Sequence, residues 1–181
     1  MKKPKLYCYS HTEFDMMCSS CGWNDDNLPS NSCFISIIGT PECQKYYLEE
    51  DELHWFKKDN SSVVLNLEFD DIPSQEIEWK GHKFLGITQE QAAEVVDFIE
   101  SNLGKDIYVH CKAGRSRSQG VVRFILDMYP EIYDESCTRP ENKCVSPNIY
   151  VVGELKRAYY KKHELLSLIH ISEPTRHLRI S

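Results

Sequence analysis

Apolar positions along this chain follow two rhythms, one of period two or unbroken, the other close to 3.6. "KLYCYS" alternates weakly and predicts a short first strand. "TEFDMMCSSCGW" follows, with Thr12 as its expected cap and a short helix ending near Gly22. "WNDDNLPSNS" is turn chemistry, rich in Asn, Asp, Ser and Pro. "CFISIIG" is a nearly continuous apolar run stopped by Gly39 and Pro41, as expected of a strand buried on both faces. The acidic, aromatic stretch "PECQKYYLEEDELHWF" predicts one or two helices covering the sheet.

In "SSVVLNLEFDDIP" (Ser61 to Pro73), Val63, Leu65 and Leu67 alternate with Val64, Asn66 and Glu68 before two aspartates and a proline end the strand. Thr88 and Gln91 form a capping box. Ala92, Val95, Val96, Ile99 and Leu103 then recur at helical spacing, and Gly104 closes that helix. "DIYVH" is a compact strand. From Arg117 onward, Val121, Val122, Ile125 and Met128 fall on one helical face that Pro130 ends. "SCTRPENKCVSPN" reads as a loop, after which Pro147 or Asn148 starts a last helix through about His163, with Val151 or Val152, Leu155 and Tyr159 inward. Strands alternating with helices predict an α/β three-layer sandwich with a mainly parallel central sheet flanked by helices.

Residues 1–167 are expected to form a single domain, since no repeat or low-complexity linker divides them. The segment from Leu168 to Ser181 breaks the helical rhythm and resembles translated read-through, so it is set apart as a tail, expected to be non-native.

Composition narrows the function classes. The 181 residues carry a net charge of -7, which gives no global attraction to nucleic acid or acidic membranes, so any anion binding must be local. No apolar run reaches the roughly 18 residues of a membrane span, and the basic start lacks the apolar stretch of a leader. A cytoplasmic protein is therefore expected, with a monomer favoured. In that compartment the eight cysteines are expected to be free thiols, most of them small buried hydrophobes.

One stretch does not fit that bland role. "IYVHCKAGRSRSQGVV" puts Cys111 between a strand and a helix, with His110 before it, Gly114 midway, and Arg117 and Ser118 after it. Such a loop turns successive backbone N–H groups towards one point, and the helix N-terminus adds open donors and partial positive charge. Ala113 and Gly114 keep the loop tight enough for a tetrahedral dianion to touch the backbone, with Lys112, Arg115 and Ser116 at the other loop positions. Arg117 can grip two phosphoryl oxygens at once, a geometry a lysine does not supply. A thiol in that field is of the kind that ionises near neutral pH and attacks a bound phosphoryl group. Ser118 could donate to the departing thiolate, and His110 is expected to orient the loop by hydrogen bonding rather than to carry protons.

"HCKAGRSRS" matches at every fixed position the HCxxGxxR[ST] signature of the cysteine-dependent protein tyrosine and dual-specificity phosphatases, and the order of elements from Cys33 to about Tyr160 resembles their compact bacterial and phage members. The resemblance implies a phosphotyrosine phosphatase-like fold and a phosphocysteine mechanism that needs no metal or cofactor. It makes Cys111 the nucleophile and Arg117 the stabiliser of the transition state. It also calls for a general acid on an upstream loop, where "FDDIP" offers Asp71, preferred for its place deeper in the turn, and Asp70. Phosphorylated protein is the expected substrate. The chain lacks the Trp-Pro-Asp of the large tyrosine phosphatases, which favours a shallow, dual-specificity-like site. Lys112 and Arg115 keep open a phosphoinositide or RNA 5′-triphosphate substrate, or simply a solvated loop.

Other readings stay beside this one. Cys111 could be a buried thiol at a strand end, the aspartates an acidic turn, and the whole a phosphate-binding adaptor without turnover. Cys8, His11, Cys18 and Cys21 form C-x2-H-x6-C-x2-C, a spacing open to zinc although its middle gap is short. Cys137 and Cys144 flank the last loop as a candidate clip. The aromatic cluster of Tyr46, Tyr47, Trp55 and Phe56 is expected to cover the sheet.

Overall fold

The computed structural model describes residues 3–47, 53–57, 61–138 and 146–172, with side chains described as far as 164. Four strands make a parallel sheet: β1 (Leu6–Ser10), β2 (Ser32–Ile38), β3 (Val64–Glu68) and β6 (Asp106–Cys111), in the order β1-β6-β2-β3. Two further strands, β4 (Glu76–Trp79) and β5 (His82–Leu85), form a separate antiparallel hairpin. The helices are α1 (His11–Cys21), α2 (Pro41–Tyr46), α3 (Gln89–Ser101), α4 (Arg117–Met128) and α5 (Ile149–Ser172), and a 3-10 turn spans Glu135–Cys137. No helix among the described residues is long and apolar enough to cross a membrane.

The alternation along each strand divides the interior in two. Leu6 and Cys8, then Cys33, Ile35 and Ile37, Leu65 and Leu67, and Ile107, Val109 and Cys111 face a large core shared with α3, α4 and α5. The intervening positions Tyr9, Phe34, Val64 and Tyr108 face a second core with Phe14 and Cys18 of α1. Every residue of β2 is buried, as a strand covered on both faces requires. Burial pushes the thiols of Cys18 and Cys33 up to about 12, in keeping with cysteines that serve as apolar filling.

Caps mark the helix starts. Thr88 and Gln91 make the expected reciprocal box. Helix α1 starts earlier than Thr12: Ser10 is its cap, with Glu13 returning the bond. Ser-x-x-Glu at the strand end supplies both partners of a box, which Thr12 does not. Helix α3 ends at Ser101, and Gly104, at φ 86°, completes the turn into β6. Helix α5 runs past His163 to Ser172, and residues 173–181 of the proposed tail lie outside the described residues.

The hairpin β4–β5 is an element the hydrophobic pattern does not announce. Its strands are largely exposed, so only Phe84 adds to a buried surface. Its mark in the sequence is the two-residue turn Lys80-Gly81, with φ of 52° and 78°, the doubly positive geometry that glycine-containing hairpin turns adopt.

Candidate active site

Strand β6 ends at Cys111 and helix α4 begins at Arg117, so the six-residue step between them sits at the carboxyl edge of the parallel sheet. Beneath it lies the junction of β1 and α1. Gly114 has φ 67°, and a Cβ there would sit 2.6 Å from Ser10 N, 2.7 Å from Tyr9 C and 2.8 Å from Tyr9 O. Only glycine allows the loop to lie this flat on β1. The amide of His11 donates to Lys112 O at 3.1 Å, and Gln119 Nε2 donates to Gly114 O at 3.2 Å.

Ser116 stands at the N-cap of α4 with no side-chain cap bond, so the first-turn amides keep their donors for the loop side. Its hydroxyl donates instead to Asp71 Oδ1 at 2.7 Å. Arg117 is buried, with Nη1 donating to Phe69 O at 2.8 Å, while its buried Nε makes no hydrogen bond among the described residues. The guanidinium is thus held from the end of β3, with a donor still unspent.

The residues Phe69, Asp70 and Asp71 organise the opposite wall. Asp70 is only 1% exposed and accepts from Thr40 N at 2.8 Å, Thr40 Oγ1 at 2.9 Å and Leu85 N at 2.8 Å. Both of its oxygens are therefore committed to tying α2 and β5 to the end of β3. Asp71 is exposed, and both of its bonds fall on Oδ1, from Ser116 Oγ and from Asn148 Nδ2 at 2.7 Å. Oδ2 makes no hydrogen bond among the described residues. Asn148 also caps α5 through Val151 N at 3.1 Å, so one side chain starts the helix and holds the aspartate.

These walls enclose a cavity of 240 Å³. Cys111, Lys112, Ala113, Ser116 and Arg117 line it from the loop, and Asp70, Asp71 and Ile72 from the β3 end. Gly39, Cys43, Gln44, Tyr47 and Phe84 complete it, and sequence reading assigned none of these five to the site. Tyr47 and Phe84 have ring centroids 6.4 Å apart, so the cluster expected to cover the sheet sends one ring to the cavity. Gly114 and Arg115 do not line this cavity: a Cβ on Gly114 would meet the backbone of β1, and Arg115 is exposed.

His110 points to the opposite face of the sheet from Cys111, because adjacent strand residues alternate. Its Nε2 lies 2.7 Å from Ser36 Oγ, which in turn lies 2.6 Å from His54 Nδ1, and its ring stacks on Phe14. Burial holds its pKa well below the ordinary 6.5, with His11, His54 and Arg117 pushing the same way. A neutral His110 fits a positioning role, but its partner is Ser36 on β2 and not the loop.

Ser118, also buried, has Oγ 3.0 Å from Cys111 Sγ. The other cysteine-histidine spacing is dispersed: Cys8 lies under the loop, Cys18 packs in the α1 core, Cys21 is exposed, and His11 pairs with Asp15 at 3.3 Å. No group of three His, Cys, Asp or Glu is placed to hold a metal ion among the described residues. Cys144 of the proposed clip lies outside the described residues.

No protein-family model and no curated protein matches the chain.

Proposed function

We propose that this protein hydrolyses phosphomonoesters through a phosphocysteine intermediate, with phosphorylated tyrosine side chains of proteins, in a dual-specificity-type site, as the main substrate class. The observation that carries the reading is the sharing of one small cavity by Cys111, Arg117 and Asp71, each brought there by a different structural constraint. A buried thiol at a strand end would need no arginine anchored beside it and no aspartate opposite.

In the first step Cys111 attacks phosphorus as the thiolate and the ester bond breaks. Asp71 gives its proton to the departing oxygen. Arg117 and the open amides at the start of α4 bind the equatorial oxygens, where negative charge accumulates. In the second step a water attacks the phosphocysteine, Asp71 takes its proton, and sulfur leaves as the thiolate with Ser118 donating to it. Phosphate and free enzyme result.

Tyr47, Phe84 and Ile72 give the mouth an apolar, aromatic border that suits an aryl ester. Lys112 on the cavity wall supports the second reading, a phosphoinositide or RNA 5′-triphosphate substrate, since it could meet a further phosphate. A phosphate-binding adaptor would have no use for the thiol and the aspartate together.

The test is turnover of p-nitrophenyl phosphate by the full chain and by Cys111→Ser. Release of phosphate that the variant abolishes, with phosphate trapped on Cys111 after acid quench, is the expected result. Binding of phosphate without turnover in the unaltered protein overturns the enzyme reading in favour of the adaptor.

A further inference from the structure

Two sulfurs share one hydroxyl beneath the loop. Ser118 Oγ lies 3.0 Å from Cys111 Sγ and 3.1 Å from Cys8 Sγ. All three side chains are buried. Cys8 belongs to β1, where the parallel register sets it beside Val109, two residues before Cys111 and on the same face of the sheet. The Cys8 thiol also reaches Gly114 O at 3.4 Å, the carbonyl that Gln119 Nε2 holds. It therefore touches both the turn of the loop and the serine that follows the arginine.

A serine hydroxyl has a single proton and two lone pairs. Where that proton points decides what Ser118 does for the nucleophile. Given to Cys111, it stabilises the thiolate; rotated towards Cys8, it leaves the thiolate facing a lone pair. Buried in this way, the rotor is fixed by its neighbours rather than by water. A thiol that donates to Ser118 Oγ occupies a lone pair and leaves the hydroxyl proton only the Cys111 side.

We propose that Cys8 is a positioning residue for the nucleophile. Its S–H donates to Ser118 Oγ, and so directs the Ser118 proton at the sulfur of Cys111. This rests on the reading of Cys111 as a thiolate nucleophile. No proton leaves Cys8 in either chemical step; it orients the serine when the thiolate attacks and again when sulfur departs from phosphorus. Cys8 stands more than a hundred residues from the loop, on a strand whose alternation explains it equally well as core, so nothing in its own neighbourhood of sequence marks it.

The experiment compares Cys8→Ala, Cys8→Ser, Ser118→Ala and the double variant Cys8→Ala/Ser118→Ala in the full chain. Two readouts are taken: kcat and KM for p-nitrophenyl phosphate, and the pH profile of iodoacetamide alkylation at Cys111, followed by mass spectrometry. Thermal unfolding is measured alongside. One neutral hydrogen bond sets the scale, so Cys8→Ala is expected to lower kcat about two- to tenfold at little change in KM. Its alkylation profile moves to higher pH, because less of Cys111 is thiolate at a given pH. Cys8→Ser keeps a donor on the strand and restores both readouts to within about twofold. With Ser118 already alanine, loss of the Cys8 thiol costs less than about twofold more, since the hydroxyl it acts through is gone.

Equal effects of Cys8→Ala with and without Ser118, or no rescue by serine, overturn the proposal and make Cys8 a packing residue. An alkylation profile unmoved by Cys8→Ala does the same. The alkylation readout needs no turnover. An inactive unaltered protein whose profile still shifts sinks the phosphatase reading while leaving the thiol–serine–thiol relay standing.

Discussion

Neighbouring aspartates with opposite environments give the sharpest test of the site. Replacing Asp70 strips the partner from three donors at once: the amide and hydroxyl of Thr40 and the amide of Leu85. Each buried donor left without an acceptor costs about 1–3 kcal/mol. With the partly exposed Leu85 amide at the low end, Asp70→Ala loses roughly 3–7 kcal/mol, a large share of the roughly 5–15 kcal/mol by which domains of this kind are stable. Asp70→Asn keeps the volume but turns an N–H towards donors, and falls between the unaltered protein and Asp70→Ala. Asp71 is exposed and, among the described residues, bonded only through Oδ1, so Asp71→Asn retains an oxygen for Ser116 and Asn148 and shifts stability by no more than about 0.5 kcal/mol. As the general acid, its loss lowers kcat about 10²- to 10⁴-fold for phenyl phosphate. The assay pairs urea unfolding with turnover of a series of aryl phosphates. Protonation matters less as the leaving phenol becomes more acidic, so the Asp71→Asn deficit should shrink along the series. An Asp71→Asn deficit that is flat across leaving groups refutes the assignment. An Asp70→Asn protein of normal stability with no turnover transfers the role to Asp70.

Two further outcomes follow from the same geometry. Gly114→Ala sets a Cβ 2.6–2.8 Å from the backbone of Tyr9 and Ser10, atoms that cannot swing aside, and does so at φ 67°; a loss of at least about 2 kcal/mol in urea unfolding is expected, with turnover reduced as the loop lifts from β1. Because burial depresses His110, the unfolded chain takes up a proton below pH 6.5 that the native protein refuses. Stability therefore falls as the pH drops below 6.5, by up to about 1.4 kcal/mol per pH unit from this group. Urea unfolding between pH 5 and 6.5 should show Asn in place of His110 flattening that slope by about one proton; an unchanged slope removes His110 as its source.

Legibility in the sequence followed how local each constraint is. Strands β2 and β6 are buried on both faces, so their composition announces them without knowledge of their neighbours. The loop from Cys111 to Arg117 is likewise self-contained: thiol, glycine, arginine and helix start lie within seven residues, and the fold has only to place them at the sheet edge. The remainder of the cavity depends on contacts that span the chain. Cys43 and Tyr47 reach it because Asp70 ties Thr40, at the start of α2, to the end of β3, and Phe84 reaches it because the same carboxylate holds Leu85. "FDDIP" reads equally well as a strand end and as a pair of acids. What separates the two carboxylates is the partners they find 15 to 77 residues away, which no local pattern records. The segment from Phe69 to Asp71 thus anchors the arginine through a carbonyl, fixes the cavity wall through one carboxylate, and leaves the next residue able to act. A rigid wall and the proposed acid can be adjacent here because the wall engages both oxygens of Asp70, while Asp71 Oδ2 makes no hydrogen bond among the described residues.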